Sequence, residues 1–261
     1  MPPVDRPLVI AGRTFRSRLF LGTGKYRSFE EMRACHAAAE TELVTAAVRR
    51  VDFGRASGPN VLDFVPKDRI AVLPNTAGCW SVDDAVRTAR LGREALGTTW
   101  VKLEVLGDER LLLPDPVGSV EATRILAREG FVVLVYCSDD PLLARRLEDE
   151  GASAIMPAGS PIGSGLGVVN PVNLRFIVER ARVPVVVDAG VGTASDVAVA
   201  MELGADAVLL NTAVALASDP PRMARAMKDA CSAGRDAYLA GRIPRRDYGA
   251  PSSPTTGLIG S

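Results

Sequence analysis

Lys102 and Glu104 stand two positions apart within an otherwise apolar segment, 100–105, which reads Trp-Val-Lys-Leu-Glu-Val. Alternate side chains of a strand share a face, so Trp100, Lys102 and Glu104 point one way and Val101, Leu103 and Val105 the other. Burying two charges is costly unless they are paired or put to use. One use is covalent. A lysine desolvated enough to be partly neutral near neutral pH forms an imine with a ketone. The chain holds only 4 lysines (Lys25, Lys67, Lys102, Lys228) against 27 arginines, so lysine is not its ordinary surface cation. An arginine at position 102 would stay protonated and could not attack a carbonyl. The competing reading is a structural ion pair, because residues two apart on a strand can meet.

Other chemistry-bearing residues follow apolar runs. Asp188-Ala189-Gly190-Val191-Gly192 follows Pro-Val-Val-Val, and Asn211-Thr212 follows Ala207-Val208-Leu209-Leu210. Residues 157–167, Pro-Ala-Gly-Ser-Pro-Ile-Gly-Ser-Gly-Leu-Gly, form a third such segment. Glycines let backbone N–H groups approach an anion, and a helix start adds unpaired donors, so the three segments point to a phosphate site. Alternatively the glycines only turn the chain. Gly163, Gly165 and Gly167 lack the G-x-G-x-x-G spacing of a dinucleotide fingerprint. Glu104 and Asp188 are candidate proton carriers, although an aspartate in that position also caps helices or braces loops. Cys79 has no neighbouring cation in sequence to lower its pKa and is a weak nucleophile candidate, while Trp80 and Tyr136 are candidate pocket walls.

The elements that must position these residues recur evenly. Apolar runs at 18–21, 43–48, 70–73, 100–105, 131–136, 154–156, 184–188 and 207–210 make eight expected strands, about 27 residues apart. They are continuously apolar, as strands covered on both faces should be. Caps mark helix starts between them: Ser28 before Glu31, Ser81 before Asp84, Thr193 before Asp196, and Asp140 and Asp219 each before a proline. Gly130, Gly151 and Gly204 stand where helices should end. The second unit is the weakest, since Gly54, Gly58 and Pro59 leave room for a loop or a short helix only. The spacing predicts a (βα)8 TIM-type barrel, α/β in class, rather than an open doubly wound sheet. Val9-Ile10 and Thr14-Phe15, joined by Ala11-Gly12, predict an N-terminal β-hairpin. Residues 1–248 are expected to form one domain and 249–261 a disordered tail. In such barrels the site lies at the C-terminal ends of the strands, where all of these residues fall.

Composition narrows the function. The formal net charge is zero, with a sequence pI near 6.6, which argues against nucleic acid. No apolar run approaches the roughly 20 residues of a membrane helix, and the start of the chain lacks the apolar core of a signal peptide. Cys35, Cys79, Cys137 and Cys231 are scattered, as for reduced buried thiols in a cytoplasmic protein. With His36 as the one histidine, expected to be mid-helix packing, neither a serine–histidine triad nor a multi-histidine metal centre is available.

With these segments assembled, the chain resembles the bacterial thiazole synthases of thiamin biosynthesis. The resemblance runs from Leu8 to Tyr248 and is carried by SRLFLGTGKY (17–26), LPNTAGC (73–79), VKLEVLGD (101–108), MPAGSPIGSGLG (156–167), NPVNLRFI (170–177), VDAGVGTASD (187–196), MELGADAVLLNTA (201–213) and AYLAGRIP (237–244). It implies a barrel that condenses 1-deoxy-D-xylulose 5-phosphate, dehydroglycine and sulfur into thiazole phosphate, without metal or organic cofactor. The sulfur would arrive as a thiocarboxylate on a small ubiquitin-like sulfur-carrier protein. The resemblance places the imine on Lys102, acid and base on Glu104 and Asp188, and sugar-phosphate contacts on Gly163, Ala189, Gly190, Asn211 and Thr212. A homo-oligomer and a partner enzyme supplying dehydroglycine are further implications. Ala158 and Trp80 depart from the residues usual there, which touches pocket shape rather than chemistry. Two alternatives keep the same residues: a class I aldolase-like lyase on a ketose phosphate, and a non-catalytic barrel that binds a phosphorylated ligand.

Overall fold

A computed structural model of the chain describes residues 4–50 and 60–253. The chain enters through the expected hairpin. Strands β1 (Leu8–Ile10) and β2 (Arg13–Phe15) pair antiparallel, with Ile10 opposite Arg13. Ala11 and Gly12 between them have φ of 45° and 82°, the left-handed pair that a two-residue turn needs to match strand twist.

The eight parallel strands follow at the expected places. They are β3 (Leu19–Gly22), β4 (Leu43–Ala47), β5 (Ala71–Asn75), β6 (Trp100–Leu103), β7 (Val132–Cys137), β8 (Ala154–Pro157), β9 (Val186–Asp188) and β10 (Ala207–Leu210). Neighbours in sequence are neighbours in the sheet from β3 to β8, and β10 pairs with both β9 and β3. The bridges Ile155–Val185 and Ala158–Asp188 join β8 to β9 and close the ring. The helices α1 (Phe29–Ala39), α2 (Val82–Leu96), α3 (Pro116–Arg128), α4 (Pro141–Asp149), α5 (Pro171–Arg180) and α6 (Ala194–Glu202) lie between strands, and α7 (Thr212–Ala215) and α8 (Pro220–Ala240) follow β10. Ser28 and Ser81 cap α1 and α2 by accepting from the Glu31 and Asp84 N–H groups. In the second unit, single 3-10 turns, Val48–Arg50 and Val61–Phe64, stand where other units have a helix. Gly54, Gly58 and Pro59 lie outside the described residues, as do residues 254–261 of the expected tail; 249–253 are exposed and join no helix or strand.

Two apolar layers follow from the alternation of side chains. Val101, Leu103, Val133, Val135, Val187 and Val208 face outward and pack beneath the helices. Phe20, Leu43, Leu73, Leu134, Met156, Val186 and Leu209 face inward and fill the lower barrel. Leu8, Ile10 and Phe15 of the hairpin join that inner cluster and plug the N-terminal mouth. Phe15 packs edge-on against Phe20, with centroids 5.3 Å apart, and against Trp100 at 6.2 Å. Lys102, Tyr136 and Asp188 follow the inward-facing Trp100, Leu134 and Val186 by two positions on their strands, so they too face inward.

The plug is part of the core and not an appendage, since Phe15 is only 2% exposed. Phe15→Ala is expected to lower unfolding stability by about 3–5 kcal/mol, the range for truncating a buried phenylalanine, as read by chemical denaturation. A loss below about 1 kcal/mol would mean that the hairpin is not packed as described.

Candidate active site

Two strands and the barrel's closure bring together charges that are distant in sequence. Lys102 on β6 reaches across the barrel to Asp188 at the end of β9, with Nζ 2.5 Å from Oδ2. Glu104 Oε1 lies 3.5 Å from the same nitrogen. All three residues are almost inaccessible, at 6%, 5% and 3% exposure for Lys102, Glu104 and Asp188. The Tyr136 ring centroid is 5.8 Å from Nζ, so an aromatic wall backs the cation. Asp188 is buried, and its contact with Lys102 is a close ion pair.

The expected position of Glu104 needs correction in one respect. Strand β6 ends at Leu103, and Glu104 lies past it. The Thr76 side chain takes over from the ladder: its hydroxyl donates to the Glu104 carbonyl and accepts from the Glu104 N–H, both at 2.8 Å. Those bonds hold the Glu104 backbone in place beyond the strand, so its carboxyl still meets Lys102. In the sequence Thr76 stands out only as part of the LPNTAGC segment, 73–79. Its bracing role depends on the β5–β6 register, which pairs Asn75 with Lys102.

The protonation of the trio also departs from expectation. Burial alone would pull Lys102 down, but Asp188 and Glu104 beside it outweigh burial and hold its pKa above the ordinary lysine value. Burial pushes Glu104 up, against the pull of Lys102 and with the added repulsion of Asp188. Burial likewise raises Asp188, against Lys102 and the Ala189 N–H. The unliganded lysine is therefore a cation, and each carboxylate has an enhanced appetite for a proton.

The glycine-rich segments converge at the same end of the barrel. Gly159 N–H donates to the Asp188 carbonyl at 3.2 Å, and Gly167 N–H to the Gly190 carbonyl at 2.8 Å. Gly190, at φ 76°, lies so close to Ser160 that a Cβ there would fall 1.9 Å from the serine Oγ. Any side chain at 190 would push the two loops apart. Ala189 shares the left-handed conformation at φ 68°. Asn211 and Thr212 follow β10, whose Leu209 pairs with Asp188. Gly163 is exposed in its loop, with nothing within 4 Å of its Cβ position. Helix starts differ here. The Asp196 carboxylate accepts from the Gly192 and Thr193 N–H groups at the start of α6, whereas no side chain caps α7 at Asn211.

Several further residues separate from this cluster. Cys79 is fully buried, hydrogen-bonds Thr88 Oγ1 at 3.4 Å, and burial raises its pKa, which suits a core thiol rather than a nucleophile. His36 is buried in α1, with Nε2 3.1 Å from the Gly22 carbonyl. Trp80 is 44% exposed and borders a separate depression of about 660 Å³ with Leu106, Asp108 and Leu111. A cleft of about 1200 Å³ lies between α1 and α8 and touches none of the trio. Among the described residues no group of acidic, histidine and cysteine side chains is arranged to hold a metal ion, and no helix is long and apolar enough to cross a membrane.

Comparison with known proteins gives a consistent result. The family described as "Thiazole biosynthesis protein ThiG" matches residues 9–254. A thiazole synthase of Myxococcus xanthus is 59% identical over 255 residues, spanning 98% of each chain. One from Novosphingobium aromaticivorans is 60% identical over 250 residues, covering 96% of each. Among solved structures, the Amycolatopsis orientalis BexX/CysO complex superimposes with a TM-score of 0.84 at 38% identity, over 94% of this chain and 100% of that one.

The charge balance within the trio predicts a pH signature. Lys102→Met leaves two buried carboxylates without their cation, and both then bind protons more tightly folded than unfolded. The variant keeps its stability below the ordinary carboxylate range and loses it as pH rises through that range towards the raised folded values. Its deficit against wild type should reach about 3–5 kcal/mol near pH 8, typical of a buried pair with one partner removed, and shrink near pH 5. Denaturation curves at the two pH values decide it. A deficit of equal size at both would contradict the charge balance described.

Proposed function

The chain belongs to the thiazole synthase family of thiamin biosynthesis, and we propose that it builds the thiazole phosphate through an imine on Lys102. The observation that carries this reading is a single buried lysine between two carboxylates, 2.5 Å from one and 3.5 Å from the other, at the strand ends of a βα barrel. The substrates are 1-deoxy-D-xylulose 5-phosphate, dehydroglycine and a thiocarboxylate on a sulfur-carrier protein. That a relative of 38% identity forms a BexX/CysO complex supports a protein partner for this fold.

The steps use the residues as placed. Asp188 takes a proton from the Lys102 ammonium, and the freed amine attacks the C2 ketone. Loss of water from the carbinolamine gives the imine. Glu104, 3.5 Å from the same nitrogen, takes the C3 proton, and return of a proton moves the carbonyl to C3. The carrier's thiocarboxylate sulfur then adds to the C3 carbonyl; its acyl group passes to the C3 oxygen and leaves as the carrier's carboxylate, which leaves the sulfur on C3. Dehydroglycine joins through that sulfur, its nitrogen displaces the Lys102 amine from C2, and the ring is completed with loss of water. A carboxylate whose proton affinity is raised by burial suits these transfers, because it accepts a proton more readily than an exposed one. Ala189, Gly190, Asn211, Thr212 and Gly163 anchor the phosphate end, which positions the reacting carbons.

Incubation with the ketose phosphate followed by borohydride should attach the reduced sugar phosphate to the wild-type protein, and Lys102→Ala should abolish that attachment. Trapping by the variant at the wild-type level would remove the lysine from the mechanism. Asp188→Asn should slow trapping by about 100-fold or more, the scale of lost proton-transfer assistance, and a rate within twofold of wild type would assign the first proton transfer elsewhere.

A further inference from the structure

The groups assigned above to the phosphate are all uncharged: backbone of Gly163, Ala189 and Gly190, and the neutral residues Asn211 and Thr212. A phosphate monoester carries between one and two negative charges near neutral pH. Lys102 cannot answer that charge, since it lies against Asp188 and Glu104 and is committed to the ketone. The site as assigned is short of a cation.

One stands at the rim. The loop between β3 and α1 folds onto the segment after β10. Asn211 Nδ2 donates to the Gly24 carbonyl at 2.8 Å, and Gly22 approaches Asn211 so closely that a Cβ on it would lie 2.7 Å from the asparagine Cβ. Lys25 follows with φ 69°, a backbone state unfavourable for an L side chain and held here without glycine. Its ammonium reaches Thr212 Oγ1 at 3.4 Å. Among the described residues Lys25 forms no ion pair, while the nearby Arg27 is paired with Glu31. An exposed ammonium on a strained backbone, resting loosely on a hydroxyl, is better explained by an absent anion than by the hydroxyl. Such a cation beside N–H and O–H donors forms charge-assisted bonds to phosphate oxygens.

We propose that Lys25 is the cationic element of the phosphate subsite, seated against the phosphate monoester of the ketose phosphate over Asn211 and Thr212. The inference rests on the reading that this end of the barrel holds a sugar phosphate. It adds a specificity determinant: Lys25 distinguishes the phosphorylated ketose from its dephosphorylated form and leaves the imine chemistry alone.

The test compares wild type with Lys25→Met, Lys25→Gly and Lys25→Arg. Lys25→Gly removes the cation and relieves the strained φ, so it controls for damage to the fold, which thermal unfolding reads directly. Borohydride trapping is titrated with 1-deoxy-D-xylulose 5-phosphate and with 1-deoxy-D-xylulose. Met and Gly variants should need about 10- to 100-fold more phosphorylated substrate for half-maximal trapping, as for loss of a charge-assisted bond, and the same amount of unphosphorylated substrate. Arg should recover most of the loss. Equal effects on both substrates, or none on either, would overturn the assignment. Affinity for inorganic phosphate, measured by calorimetry, does not depend on an imine and separates the two levels of argument. If wild type binds phosphate and the Met and Gly variants do not, Lys25 stands even where trapping fails; if all bind it alike, or none does, the assignment falls.

Discussion

The architecture depends on holding one ammonium between two carboxylates out of water. Lys102 and Asp188 meet across the barrel, from strands separated by β7 and β8, so their 2.5 Å contact exists only if the ring is closed. Closure is secured on both sides of Asp188: Leu209 pairs with it from β10, and Ala158 bridges it from β8. Below the charged layer the inner apolar cluster and the hairpin plug exclude water from the lumen. Were that floor leaky, the trio would be solvated and its proton affinities would relax towards ordinary values.

Burial and charge pull against each other in this trio, and the balance is what makes it chemically useful. A lone buried lysine would lose its proton to water and wait as an amine. Here the two carboxylates keep it charged until a proton can pass to one of them, and burial makes each an unusually willing acceptor. In the imine mechanism proposed above, nucleophile and base are readied in one transfer over a contact distance. Thr76 matters for the same reason, because its hydroxyl keeps the Glu104 backbone in place once β6 has ended.

The fold was legible because its signals are local. Eight apolar runs at even spacing, capped helix starts and an Ala-Gly turn each report on a few adjacent residues, and every expected strand appears within two residues or so of its place. Lys102 was legible as an oddity of composition. Its protonation was not, because the residue that sets it, Asp188, is remote in sequence and joins it only through closure. The same limit hid Thr76 and Lys25, whose roles come from contacts between loops of different βα units. The glycine-rich loops were legible as a candidate phosphate site or as turns. That Gly190 serves close packing on Ser160, and that Asp196 already occupies the N–H groups at the start of α6, required coordinates.

The central claim is that Lys102 alone forms the covalent bond to the ketose phosphate. With only four lysines in the chain, the adduct can be assigned without ambiguity. The protein is incubated with 1-deoxy-D-xylulose 5-phosphate, reduced with borohydride, digested, and its peptides sequenced by mass spectrometry. The account predicts the added mass on Lys102 and unmodified Lys25, Lys67 and Lys228. Modification of one of those three with Lys102 untouched would contradict it.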